Sequence, residues 1–303
     1  MQLKSRRLLV TGAAVAAGVA VAVAAFRRKT RRSFEAAHAL RFTLSPDGIV
    51  VGAEPISLDA SPTHAVLMLH GFNDTPQSLA LLATSLHAAG WTVRVPLLPG
   101  HGSTLSAMAA GRASAWLSHS RAALRALQAT HDTVVLCGQS MGGALAVQLA
   151  AEDPTIPALV LLAPFIGLPR ALSFKFAASW LLQSLFPYRV STGGERSIHD
   201  PEARALTLGK GVVTARALRE LQWVAERAEE ALPRVQAPTL YLQSVEDNRI
   251  RAEDAERNFA HLGSSEREQG WLSGCGHVIS VDYHRDEVAR RTIAWIVRWA
   301  GTP

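Results

Sequence analysis

With two cysteines in 303 residues, Cys137 and Cys275, the sequence has no disulfide framework to organise it. Both are expected to pack as small apolar side chains rather than to bridge or hold metal. Charge is also sparse, at 18% against 48% hydrophobic residues, which excludes wholesale disorder and leaves ample material for a large core. The formal charge of +6 does not amount to a basic groove. Eight of the 31 lysines and arginines lie within the first 32 positions: Lys4, Arg6, Arg7, Arg27, Arg28, Lys29, Arg31 and Arg32. The remainder is close to neutral, so nucleic acid is not an expected partner. The histidines show no His/Cys/Asp spacing suited to metal, so neither metal nor other cofactor is expected.

One uncharged run, Leu8 to Phe26, is about as long as a bilayer crossing needs. Basic clusters bracket it, and Arg27-Arg28-Lys29-Thr30-Arg31-Arg32 counts against its cleavage. The expectation is a single-pass membrane anchor within residues 1–32. The alternative is a twin-arginine export signal, since Ser5-Arg6-Arg7-Leu8-Leu9 precedes a mild apolar core and Ala22-Val23-Ala24 resembles a cleavage site.

Beyond this segment, short apolar runs alternate with helical patterns. Ala65–Leu69, Thr92–Val95, Thr133–Cys137, Ala158–Leu162, Thr239–Gln243 and 268–272 read as strands. Leu40–Leu44 and Ile49–Leu58, flanking Ser45-Pro46-Asp47-Gly48, predict an early hairpin. Helices are predicted from Thr75-Pro76 to Ala89, over Ser114–Gln128, from Ala144 to Glu152 and over Asp286–Trp299. The alternation implies an α/β fold with a mainly parallel central sheet covered by helices. Residues 165–234 interrupt it and read as an inserted helical cap without convincing strands, dividing the core into 33–164 and 235–303. Such an insertion would cover the carboxyl ends of the strands, where open α/β sheets bind ligands. Phe174, Phe176, Trp180, Leu181, Leu185 and Phe186 are candidates to line an acyl pocket there, or to form the cap's own core.

The chemistry concentrates at Gly138-Gln139-Ser140-Met141-Gly142-Gly143. A G-x-S-x-G between a buried strand and a helix is the context of a nucleophile elbow. A serine nucleophile needs a base, and the base an orienting carboxylate. His277, in Ser273-Gly274-Cys275-Gly276-His277, and Asp247, in Ser244-Val245-Glu246-Asp247, each follow a late strand and complete the order Ser, acid, His. Glu246, Asp254 and Asp282 are rival acids, and His284 is a rival base. Oxyanion donors are expected from the backbone N–H groups of Met141 and Phe72. His70 and His101 are expected to tie down loops.

The segments HGF (70–72), PGHG (99–102), GQSMGG (138–143), ED (246–247) and CGHVISVD (275–282) resemble the α/β-hydrolase superfamily. More narrowly, they resemble its bacterial carboxylesterase and monoacylglycerol lipase branch. The likeness runs from about residue 40 onward, with 107 residues from Ser140 to Asp247 and 30 from Asp247 to His277. It implies Ser140 as nucleophile, His277 as general base and acid, Asp247 as orienting carboxylate, and Phe72 and Met141 as the oxyanion hole. The implied activity is hydrolysis of a carboxylic ester with an apolar acyl chain, by a serine esterase or lipase. An acyltransferase using the same triad, a peptidase or amidase, and a non-catalytic lipid-binding module are the alternatives.

Overall fold

The computed structural model describes residues 2–167, 186–191, 194–209 and 211–303, with side chains described from residue 15. Seven strands form the central sheet: β1 Ile56–Leu58, β2 His64–Leu69, β3 Thr92–Val95, β4 Thr133–Gln139, β5 Leu159–Leu162, β8 Thr239–Ser244 and β9 Arg267–Leu272. Their order is β1-β3-β2-β4-β5-β8-β9, and only β1 runs antiparallel to its neighbour. Helices close both faces, which gives the α/β-hydrolase fold.

The period-two alternation of the strands sorts their side chains between two cores. Ala65, Leu67 and Leu69 of β2 join Val134 and Leu136 of β4 on one face. There they meet α4 (Ala113–Gln128) and α5 (Met141–Glu152). Val66, Met68, Val135 and Cys137 point to the other face, against α2 (Ala80–Ala88) and the last helix, α9 (Arg285–Ala300). Burial in this core pushes the Cys137 thiol up to about 12, leaving it a neutral apolar filler. Helix α5 is buried from Met141 through Ala150, as its lack of a polar stripe dictates. Its outer side is covered by α7 (Ala215–Ala231), from the segment between β5 and β8. Gln148 Nε2 donates to the Val224 carbonyl across this contact at 3.2 Å.

Three expectations change here. The early hairpin is reduced to a stub: helix α1 (Gln2–Arg41) runs through Leu40, leaving one antiparallel bridge between Leu44 and Val50. Glu35-Ala36-Ala37 are good helix formers, and Gly52, at φ +90°, breaks the extended run after Val50. What survives is β1, which pairs with the sequence-distant β3. Within 165–234, Arg189–Val190 (β6) and Val212–Val213 (β7) do form a small antiparallel pair.

The membrane anchor is the third correction. Among the described residues, no helix is long and apolar enough to cross a membrane. Among the residues whose side chains are described, a stretch of α1 of about 20 residues takes in the charges of Arg27, Arg28, Lys29, Arg31 and Arg32. Further on, α1 lies against the 186–191 segment: Phe34 and Tyr188 rings are 5.9 Å apart, and Tyr188 Oη donates to Glu35 at 3.2 Å. Of the proposed acyl-pocket residues, only Phe186 is described; it packs edge-on against Phe26 at 5.7 Å. Phe174, Phe176, Trp180, Leu181 and Leu185 lie outside the described residues.

The insertion is bolted to the core by Asp282, which is fully buried. One carboxylate oxygen accepts the N–H groups of His199 (2.8 Å) and Gly276 (2.7 Å). The other accepts those of Asp200 (2.8 Å) and Tyr283 (3.0 Å). α6 (Pro201–Ala205), which starts just after them, is capped by Asp200. Removing this acceptor strands several buried donors at once. Asp282→Ala is expected to cost about 3 kcal/mol or more of stability, read as a lowered urea midpoint, with Asp282→Asn losing less.

Candidate active site

Ser140 is the single residue between the end of β4 and the start of α5. Its φ of +53° and ψ of −118° lie outside the regions an L-residue prefers, so the turn must be imposed by its surroundings. Its N–H donates to Leu162 at 3.0 Å, and its carbonyl accepts from Phe165 at 2.9 Å. The flanking glycines leave room for the turn. A β-carbon on Gly138 would strike the Gly142 carbonyl, and one on Gly142 would strike that of Leu69. The chain therefore doubles back between β2 and β4, and Ser140 Oγ emerges above the sheet.

His277 meets that hydroxyl from the loop after β9. Its Nε2 is 2.8 Å from Ser140 Oγ and its Nδ1 is 2.7 Å from Asp247 Oδ2. The His277 loop is fixed at three points: Gly276 to Asp282, Val278 N–H to the Ser197 carbonyl (2.9 Å), and Ser280 Oγ to the Ser78 carbonyl (2.7 Å).

Asp247 follows β8, and its side chain has no solvent exposure. Burial by itself raises a carboxylic acid's pKa. Here the attraction and hydrogen bond of His277 and the N–H groups of Ile250 (3.0 Å) and Arg249 (2.7 Å) outweigh it, and the pKa lies below the ordinary value. Gln243 Nε2 adds a further donor at 2.7 Å. An ionised Asp247 can only accept, so His277 carries its proton on Nδ1 and presents a basic Nε2 to the Ser140 hydroxyl. The arrangement is a base poised to take the serine proton, with a fixed carboxylate behind it.

The rival residues are engaged elsewhere. Glu246 accepts the Gly274 N–H at 2.8 Å, Asp254 is clasped by Arg251 and Arg257, and Asp282 holds the insertion. His284 is half-buried beside Glu287. Among the described residues, no group of three or more His, Cys, Asp or Glu side chains is placed to hold a metal ion.

On the opposite side of Ser140 lies the loop after β2. A β-carbon on Gly71 would stand 3.3 Å from Ser140 Cβ, so Gly71-Phe72 passes directly against the serine. Met141, first residue of α5, contributes one of the helix's unsatisfied N–H groups. His70 ties this loop to the next: Nδ1 donates to the Gly71 carbonyl (2.9 Å) and Nε2 accepts the Leu98 N–H (3.1 Å). Burial lowers its pKa to about 4, so it stays neutral. His101 stacks edge-on against His70, Phe72 and Trp116, which walls the Phe72 ring in place. Gln243 is a site residue that the sequence reading missed; its only signal was its place at the end of β8, four residues before the acid.

Comparison with known proteins bears on the same residues. The family model described as serine aminopeptidase, S33, matches residues 60–283. A thermostable monoacylglycerol lipase from Bacillus sp. (strain H-257) is 27% identical over 253 residues, covering 84% of this chain and 98% of the relative. A solved structure from work on the metagenome-derived lipolytic enzymes LipS and LipT is 32% identical, with a TM-score of 0.75 over 84% of this chain and all of the other. The Paleococcus ferrophilus monoacylglycerol lipase structure shares the fold at 21% identity and a TM-score of 0.70, over 80% of this chain and 98% of its own. The matched span contains the Ser140 turn, Asp247 and His277, and the chain belongs to the serine aminopeptidase S33 family of α/β-hydrolases.

Proposed function

We propose that this carboxylic ester hydrolase uses Ser140, His277 and Asp247 as its catalytic triad and cleaves esters with an apolar acyl chain, as a monoacylglycerol lipase does. The single observation that carries the reading is the continuous hydrogen-bond chain Asp247–His277–Ser140, with links of 2.7 and 2.8 Å. The names of the lipase relatives support the substrate class.

His277 Nε2 takes the Ser140 proton as Oγ attacks the ester carbonyl. The charge that develops on the carbonyl oxygen is met by the N–H groups of Met141 and Phe72, the former at the positive end of α5. His277 then passes the proton to the departing alcohol, leaving an acyl-enzyme. Water, deprotonated by the same imidazole, releases the acid. Asp247 keeps the imidazole in the productive tautomer and stabilises it while it is charged. Residues 33–164 and 235–303 form the catalytic body in this reading, with 1–32 outside it, and 165–234 carry the side that receives the acyl chain.

The test is hydrolysis of p-nitrophenyl esters of increasing chain length, alongside the p-nitroanilide of the best acyl group. Esters are expected to be cleaved with a preference for longer chains, and the anilide much more slowly; the reverse order would favour a peptidase. Ser140→Ala is expected to lower turnover by roughly five orders of magnitude or more with an unchanged melting curve. Asp247→Asn is expected to cost on the order of ten-thousandfold in kcat. Wild-type rates in either variant would remove the triad from the account.

A further inference from the structure

Asp74 stands in the turn that follows the Gly71-Phe72 loop, and neither the triad nor the oxyanion donors use it. Gly71 lies beside both it and the serine. A β-carbon on Gly71 would lie 3.8 Å from Asp74 Oδ2 and 3.3 Å from Ser140 Cβ, and the glycine leaves that space open. Asp74 Oδ1 is fixed by the Thr75 N–H at 2.8 Å. The same turn is pinned to the His277 loop, because the Ser78 carbonyl accepts the Ser280 hydroxyl across 202 residues of sequence. Asp74 and His277 are thus held in a fixed relation, and their charges interact.

The carboxyl group sits in an environment that resists its ionisation. Burial raises its pKa to about 6, against the opposing pull of the Ser78 hydroxyl, the Thr75 N–H and His277. The 207–209 segment comes against Asn73 through Gly209, and it contributes Thr207 and Leu208, which carry no charge. Among the described residues, His277 is the titratable group whose charge acts on Asp74. The acid stands one residue's width from the nucleophile, and its ionisation acts on the base that the nucleophile engages.

We propose that Asp74 is a positioning residue acting through His277: a second carboxylate, besides Asp247, that stabilises the imidazolium formed when Ser140 gives up its proton. The inference rests on the triad reading above. Its consequence is a double requirement at acid pH, where the imidazole must be neutral to accept the proton and Asp74 must be ionised to support it. Burial raises the Asp74 pKa to about 6, so its charge is present above that pH and lost as the pH falls below it.

The experiment is the pH profile of kcat/KM, from pH 4.5 to 8.5, for wild type, Asp74→Asn, Asp74→Glu and Ser140→Ala on one p-nitrophenyl ester. In wild type the acid limb is expected to be steeper than a single ionisation allows. In Asp74→Asn it falls to unit slope, with kcat at pH 8 reduced about three- to tenfold and KM within twofold of wild type. Asp74→Glu, which keeps the charge, retains the steep limb with a shifted midpoint. If Asp74→Asn does not fold, the glutamate variant carries the test, and an unshifted midpoint contradicts the proposal. An Asp74→Asn profile of wild-type steepness and midpoint overturns it while leaving the triad intact. Full turnover by Ser140→Ala overturns the triad reading itself.

Discussion

The positive φ of Ser140 is the constraint on which the rest of the site depends. A serine pays a conformational cost of order 1–3 kcal/mol to sit there, and the turn persists because its neighbours over-determine it. Two strands supply that determination. The Ser140 N–H is anchored on β5 through Leu162, and the Leu69 carbonyl at the end of β2 approaches so closely that residue 142 must be glycine. The largely apolar α5 then has to be buried on the sheet, which directs the chain away from the hydroxyl. Placing β4 at the middle of the sheet, with β2 and β5 on either side, is what makes such crowding possible.

Around this turn, three loops at the carboxyl ends of β2, β8 and β9 bring the chemistry together. Each is held by hydrogen bonds as well as by apolar packing, which suits segments that must expose polar groups at one edge. Asp247 gathers the side chains of Gln243 and His277 and two backbone N–H groups, enough to keep it ionised in a site closed to solvent. Asp282 gathers four backbone donors and locks the His277 loop to the 199–200 segment. His70 works at neutral charge and joins the Gly71 loop to Leu98. Electrostatic work at the site is thus divided between a few carboxylates whose surroundings differ sharply.

Much of this was legible in the sequence where local signals and global fold agree. The apolar strands around Leu67, Val135 and Val160 appear where their residues predict, and the Ser140 turn falls between strand and helix. His70 and His101 bind loops as their neighbours suggested. Other features depend on contacts far apart in sequence and left no local trace. Ile56–Leu58 finds its partner in β3 rather than in Leu40–Leu44, so the turn at Pro46-Asp47 closes a single bridge and not a two-stranded ladder. Glu246 and Asp247 are adjacent in sequence, and only the loop's path decides that one reaches His277 while the other turns to Gly274. Residues 8–26 looked like a membrane span on length, whereas among the described residues no helix is long and apolar enough to cross a membrane. Asp282, weighed as a rival acid, proves to be a tie between distant segments, which only the folded chain brings together.

The central claim is that Ser140 is made nucleophilic by His277, and covalent labelling tests it most directly. Folded protein is treated with a fluorophosphonate at neutral pH, digested and sequenced by mass spectrometry. The account predicts one phosphonylated residue, Ser140, with labelling slowed severely in His277→Ala. No label on folded protein, or a label on a different serine, would contradict it.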